Sequence, residues 1–592
     1  MPQSASSQSS QIDLRPQKIV NWINELPRGS VGKTSELIYK ALLQINRQEM
    51  KPADRFRVLE SLRESVHYVT MNLSRHLNGT SYPLPEKIVQ IASACHSIHN
   101  NMTLAYYRIF DELKDQNILF VDKGMLNTAI HRSLKYLQQS LLLVYKTFSA
   151  FHHDYWEQLH KLYQYAEINR LASNSVIDNV LLKKRKTSIE NEYIHALLLY
   201  LSEPYHLRPG EIEEVNLHLE RWHHLVSLKT VDDASIFATD DRLIVVELDQ
   251  DQPPAVIRKS PLINDIKNCR IVEISPLLEY LSKELEQRIE QPASAKSKIG
   301  VAPIRLNLLR RLVESWGQTK KRRFPRNNIV EKVNITIGLH QTHMQLLYEQ
   351  HLKHLDRDTF SGFFTKPEFE MADVTDVNSK DSDVWETVYA WTKTDVTDVD
   401  QSASSQKQIT DYRVKQENWT LLNESASGFC VMSVEKQSNK IQVGEIISLQ
   451  RQNSAQRIIG LVRWIKAYGP SGIQIGGMMM APSALSVRVS HADTDTQDKI
   501  VDRCLLLPLI PMLNQPESLL TFSRQYKNGD ELELTDPDKK TSSIKLNTII
   551  ADNGIVSQFL FTYVVKTQYD KDTDAEEIDE LSNHFNDIWQ SI

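Results

Sequence analysis

The stretch WTLLNESASGFCVMSV, residues 419–434, holds two short strands, WTLLNES (419–425) and GFCVMSV (428–434), with a turn between them. Asn423, Ser425 and Gly428 fall at that turn in the pattern Asn-x-Ser-x-x-Gly. Asn and Ser side chains both donate and accept hydrogen bonds, and Gly428 allows a turn with positive φ. Outward from it, EIISLQR (445–451), RIIGLVRWIKAY (457–468) and GIQIGGMMM (472–480) keep the same short-strand texture, with turns at close intervals. That rhythm predicts a small antiparallel β-barrel. A further β-rich segment is expected over about 484–570.

Upstream, VEKVNITIGL (330–339) alternates as a strand, and PIRLNLLRRLVESWG (303–317) reads as an amphipathic helix with Gly317 as its C-terminal cap. Between them lies TKKRRFPRNN (319–328), the densest positive cluster in the chain. It holds Arg322 and Arg326 in the spacing Arg-x-x-x-Arg, with Arg323 beside them. Pro325 restricts Phe324 to extended backbone, so the cluster is a linker and not helix interior. Residues 301–483 are expected to form the barrel, with an insertion over about 340–415. Within that insertion, about 371–410 is rich in Asp, Thr, Ser and Gln, repeats DVTDV, and predicts disorder.

Residues 1–25 are dominated by Ser and Gln near the start and are expected to be disordered. From 26 to 227 the pattern is helical: Phe56, Leu59, Leu62, Val66, Val69, Leu73 and Leu77 follow one helix face. Antiparallel packing of several such helices is the simplest way to bury those stripes. Residues 228–300 read as a small α+β segment. At 571–592, Ile578, Leu581, Phe585, Ile588 and Ile592 make the apolar face of a C-terminal amphipathic helix.

A chain of 592 residues exceeds one core several-fold, and a net charge of -6 argues against a dedicated DNA-coating protein while leaving room for one local basic site. Cys95, Cys269, Cys430 and Cys504 are widely spaced, as suits a reducing compartment. The polar N-terminus lacks a secretory apolar stretch, and no run approaches the ~20 apolar residues of a membrane helix. A cytoplasmic protein is expected, with no membrane span. RGSVGKTS (28–35) lacks the first glycine of a phosphate loop; Pro27 stands there, so a helix start is the better reading. The histidine clusters HHDYWEQLH (152–160) and RWHHL (221–225) lack metal-ligand spacing. No catalytic set is found, so no enzyme, no metal and no cofactor are expected.

Arg322 and Arg326 ahead of a barrel, then Asn423, Ser425 and Gly428 on a barrel strand, resemble the signature of the PilZ domain, a bacterial receptor for cyclic di-GMP. GLVRWIKAYGPSGIQIGG (460–477) resembles the later strands of that barrel. The layout is similar to that of large proteobacterial proteins in which a helical N-terminal region precedes a PilZ domain, and LSEPYHLRPGEI (201–212) looks like a segment recurring in them. The resemblance implies a multidomain α+β fold: an α-helical N-terminal region, a C-terminal PilZ-like antiparallel β-barrel with a low-complexity insertion, and a further β-rich segment. It implies cyclic di-GMP as the ligand, with Arg322 and Arg326 on guanine edges and phosphates. Arg323 would add a phosphate contact, Asn423 and Ser425 would bond a guanine, and Gly428 would permit the turn. Guanine O6 and N7 and the phosphate oxygens both match the planar guanidinium fork. A protein partner would meet the helical region. The alternative is a ligand-free PilZ-like adaptor acting only by protein–protein contact.

Overall fold

The structure, a computed structural model, describes residues 12–116, 121–150, 154–180, 185–232, 242–257, 266–290, 302–317, 324–358, 417–435, 440–452, 454–468, 472–491, 501–510 and 515–564. The chain divides into two compact units. The first begins with helices α1 (Pro16–Asn24), α2 (Val31–Arg47), α3 (Pro52–Ser74), α4 (Glu86–Lys114), α5 (Lys123–Lys146) and α6 (Tyr155–Ile168). A small hairpin, β1 (Val176–Asp178) and β2 (Arg185–Thr187), precedes α7 (Ile189–Leu201) and α8 (Glu211–Trp222). Proline at the first turn suits α1 and α3, because its missing N–H has no intrahelical partner there. Asp122 caps α5 by accepting from the Met125 amide at 3.0 Å. On α3 the expected stripe is buried from Leu59 through Val69.

A four-stranded sheet follows, in the order β3 (Ser227–Thr230), β6 (Cys269–Glu273), β4 (Leu243–Glu247), β5 (Ala255–Ile257), with α9 (Ser275–Glu290) and α10 (Leu306–Gly317). The main core runs from Leu14 and Ile19 through Val246 and Leu281 to Leu312 and Trp316, and Val231, Val245, Cys269 and Ile271 at the sheet form a smaller cluster of their own. Two expectations change here. The first 25 residues are not wholly disordered: Ile19, Ile23 and Leu26 recur at helical spacing and reach the core, so Pro16–Asn24 is helical. The helix at 303–317 belongs with the helical core and not with the barrel, because Leu308, Leu309, Leu312 and Trp316 are buried there.

The first unit ends in a closed antiparallel barrel of β7 (Asn327–Ile337), β8 (Glu417–Ser425), β9 (Gly428–Ser433), β10 (Ile446–Arg451), β11 (Arg457–Tyr468) and β12 (Gly472–Ala481). Around the barrel the order is β7-β8-β9-β12-β11-β10. Alternate residues fill it: Val333, Ile335, Trp419, Leu421, Phe429, Val431, Ile465, Ile473 and Ile475. Tyr82 and Phe148, from the helical region, complete the same core. Tyr82 donates its hydroxyl to Gly472 O at 2.9 Å, and the Ala467 amide donates to Phe148 O at 2.7 Å.

The second unit holds α11 (Leu339–Asp358) and a second closed antiparallel barrel. Its strands are β13 (Leu485–His491), β14 (Asp502–Leu507), β15 (Ser518–Phe522), β16 (Glu531–Thr535), β17 (Thr541–Asp552) and β18 (Val556–Tyr563). The expected β-rich segment is thus a barrel in its own right. Helix α11 packs on β13 and β14. His343 Nδ1 donates to Cys504 O at 2.9 Å, and Ser486 Oγ donates to Gln350 Oε1 at 2.6 Å. The start of the expected insertion is therefore a helix engaged by the second barrel. The expected disorder at 371–410 and the expected helix at 571–592 lie outside the described residues.

Candidate functional site

The intervening segment leaves β7 and β8 as direct neighbours, and this positions the motif residues. Asn327 opposes Glu424 and Asn328 opposes Asn423. Arg326 stands one residue before that pairing and is exposed, with no ion pair among the described residues. Across the next hairpin Asn423 opposes Cys430 and Ser425 opposes Gly428. Four of the six expected site residues (Arg326, Asn423, Ser425 and Gly428) are therefore gathered at one end of the β7–β8–β9 sheet. Arg322 and Arg323 lie outside the described residues.

The turn is Ala426–Ser427, between Ser425 and Gly428. Ser425 Oγ donates to Gly428 O at 3.3 Å. Gly428 has no positive φ, so the expected reason for a glycine is replaced by another. A Cβ there would lie 2.6 Å from Gly477 O on β12; glycine is needed for close strand approach.

Register then sets a row across five strands: Asn328, Asn423, Cys430, Gly476 and Trp464 oppose one another in turn. Opposed residues share a face. The intervening Val431, Ile475 and Ile465 fill the barrel, so the row faces outward. A Cβ on Gly476 would meet the Trp464 indole at 1.9 Å, so the indole lies across that glycine. A second outward row runs through Lys332, Thr420, Met432, Gln474 and Lys466. Gln474 Nε2 lies 3.3 Å from Cys430 Sγ. Burial pushes the Cys430 thiol up, while the Gln474 amide and the Arg326 charge pull the other way. The Arg326 guanidinium is thus felt at the centre of the first row.

Glu424, inside the motif, would repel an anion if left bare. Arg451 on β10 meets it at 2.5 Å and also approaches Glu331 at 3.3 Å. The outward face has small residues at its centre (Gly476, Cys430, Ser425), the Trp464 indole at one side, the Arg326 guanidinium near its end and the Lys332 and Lys466 ammonium groups in the next row. Such a face can stack a planar base and pair an oxyanion. Trp464, Gly476 and Arg451 had no assigned role in the sequence. The signal available for two of them was the facing of Arg-Trp by Ile-x-Ile-Gly across a hairpin: an indole needs a glycine opposite it.

Comparison with known families accounts for most of the chain. The model described as cyclic-di-GMP receptor FimW, N-terminal domain, matches residues 17–233, and that of the FimW middle PilZ domain matches residues 243–485. The chain is a PilZ-domain protein. The FimW C-terminal beta-barrel domain matches residues 486–564, which is the second barrel. A curated relative, the cyclic-di-GMP receptor FimW of Pseudomonas aeruginosa (strain PAO1), is 24% identical over 601 aligned positions, covering 98% of this chain and 96% of the relative. No solved structure is significantly similar to the chain. The outward row belongs to the region matched as the PilZ domain. Among the described residues no cluster of His, Cys, Asp or Glu could hold a metal ion, and no helix is long and apolar enough to cross a membrane.

Proposed function

We propose that this PilZ-domain protein is a cytoplasmic receptor that binds cyclic di-GMP on the outer face of its first barrel and relays the signal to a protein partner through the helical region. One observation carries the reading. Arg326 and Asn423 are 97 positions apart in sequence, yet β7 and β8 pair so that Arg326 adjoins the Asn423–Ser425–Gly428 turn. The relative's receptor name and the PilZ match support the same ligand.

In this reading Arg322 and Arg326 grip guanine edges and phosphates with bidentate hydrogen bonds, and Arg323 adds a phosphate contact. Asn423 and Ser425 bond a guanine, and Gly428 keeps the turn close to β12. Trp464 offers its indole face to a base. Each good bidentate pair is worth roughly 1–3 kcal/mol, and a micromolar site requires about 8 kcal/mol, so a few such contacts suffice. The relative's receptor name supports a binding role for the site.

Isothermal titration of the full chain tests the proposal. Saturable heat with cyclic di-GMP, and far weaker binding of GMP and GTP, is expected, because only the dinucleotide spans both the arginine linker and the Asn-x-Ser-x-x-Gly turn. Absence of binding at tens of micromolar ligand would leave the protein a ligand-free adaptor.

A further inference from the structure

Strand β11 belongs to two neighbourhoods at once. Trp464 lies in the outward row of the candidate site, whereas the residues around it face the helical region. The Ala467 amide is bonded to Phe148 O at the end of α5. The Arg463 guanidinium is influenced by Arg311 and Glu314 of α10 and by Glu203. Lys466 extends its ammonium over the Tyr205 ring, 5.7 Å from the centroid. Tyr205 sits in a short 3-10 turn, Pro204–His206, inside the LSEPYHLRPGEI segment.

That turn is held firmly on its helical side. The Tyr205 hydroxyl donates to Ser149 O, and its ring meets Tyr145 edge-on at 5.5 Å. Glu203, just before it, has φ 52 and ψ 60, a left-handed conformation that is unfavourable for a non-glycine residue. On its barrel side the Tyr205 ring meets the Lys466 ammonium. Lys466 has no carboxylate partner among the described residues. It stands in the outward row beside the one that holds Trp464, Cys430 and Asn423. A cation with only an aromatic face for company is held weakly, and phosphate competes for it with a charge-assisted hydrogen bond.

Building on the receptor reading, we propose that Lys466 is a further phosphate contact of the site, and that the ligand recruits it away from Tyr205, so that the Glu203–His206 turn is the element through which the helical region senses occupancy. The atoms involved are few: the Lys466 Nζ exchanges a π face for a phosphate oxygen, and Tyr205 loses its barrel-side partner. The reciprocal follows by linkage: whatever strengthens the Lys466–Tyr205 contact weakens the ligand by the same factor.

The test uses the full chain, titration with cyclic di-GMP, and amide hydrogen exchange over residues 200–212 with and without ligand. In the unaltered protein, ligand should raise exchange in that segment. Lys466→Gln keeps the stem and removes the charge. It should weaken binding about five- to tenfold, the scale of one charge-assisted hydrogen bond, and abolish the ligand-dependent change in exchange. Lys466→Arg should restore most of the affinity. Tyr205→Leu should show raised exchange before ligand is added and bind about twofold more tightly, because the competing π face is gone. Tyr205→Phe keeps the ring and should bind as the unaltered protein does. Should Tyr205→Leu fail to fold, the two Lys466 variants decide the matter alone. An unaltered protein that binds cyclic di-GMP while Lys466→Gln binds equally well, or one whose 200–212 exchange ignores the ligand, overturns this inference and leaves the receptor reading standing. An unaltered protein that binds no cyclic di-GMP overturns both.

Discussion

The two barrels share one plan and differ in what occupies it. Around the first, the strands run β7-β8-β9-β12-β11-β10; around the second they run β13-β14-β15-β18-β17-β16, the same sequence advanced by six. Both are six-stranded and closed. Yet the hairpin between β8 and β9 is two residues long and carries Asn423, Ser425 and Gly428, whereas Leu507 of β14 and Ser518 of β15 are joined by a ten-residue connection. The first barrel is preceded by an arginine-bearing linker; the second follows β12 after only Pro482, Ser483 and Ala484. The cores differ too. The first admits Tyr82 and Phe148 from outside the barrel, and the second is filled by its own Val487, Leu519, Leu532, Ile544 and Phe559. Topology therefore supplies a frame, and a tight turn plus a charged lead-in turns one copy of the frame into a candidate site.

The largest expected effect concerns the borrowed core. Tyr82→Ala or Phe148→Ala should destabilise the first barrel by about 3–5 kcal/mol, the cost of a large cavity at an aromatic site, and leave the second barrel unchanged. Hydrogen exchange resolved by peptide, comparing β9 and β12 with β15 and β18, would show it. Equal loosening of both barrels would mean that the second leans on the helical region as well.

Acid should distinguish the barrels in the opposite direction. His343 on α11 is fully buried against β14, and burial, countered in part by the Cys504 carbonyl and reinforced by Arg503 and Arg488, lowers its pKa from 6.5 to about 4. A histidine whose folded pKa is depressed contributes stability that is complete above 6.5 and lost as pH falls toward 4. The loss should be at most about 3.4 kcal/mol, about 2.5 pK units at about 1.36 kcal/mol each. Exchange in α11 should rise between pH 6.5 and 4, and His343→Gln should flatten that profile. No histidine lies in the core of the first barrel, so β9 and β12 should change less over the same range.

Ligand binding sharpens the contrast further. Arg326→Ala should cost on the order of 1–3 kcal/mol of cyclic di-GMP affinity. Lys320→Ala and Lys321→Ala, which remove a charge without a planar fork, should cost well under that. Arg488→Ala and Arg503→Ala, on the second barrel, should cost nothing. Dissociation constants at one ionic strength provide the measurement. Equal losses at Arg326 and the lysines would point to a diffuse electrostatic surface. Ser425→Ala should weaken binding by about 1 kcal/mol, one neutral hydrogen bond, with circular dichroism unchanged.

Short-range signals made much of this legible in the sequence. The hairpin at 419–434, the strands after it and the helical stripe on α3 are local patterns, and each appears where its periodicity places it. The long-range choices were not legible. Nothing in HQTHMQLLYEQ says that α11 packs on strands more than 130 positions away, because Thr342, His343 and Gln345 look like surface residues until β13 and β14 cover them. Tyr82 and Phe148 read as ordinary helical-region aromatics. The outward row needed the register of four strand pairs, and the two bulges near Ile329 and Leu422 shift that register beyond what counting can recover.

The place of α11 in the chain also bears on how the protein is made. Leu339, Leu346 and Leu347 are buried in the finished molecule, yet their helix emerges from the ribosome more than 120 residues before β13. At about 5–20 residues per second, that apolar face waits roughly 6–25 s for its partner strands. Throughout the interval β7 has been made, but β8, its neighbour in the first barrel, arrives only after residue 416. A nascent chain halted near residue 400 would therefore expose both an unpaired β7 edge and an uncovered helix face, a state that chaperones are suited to shield.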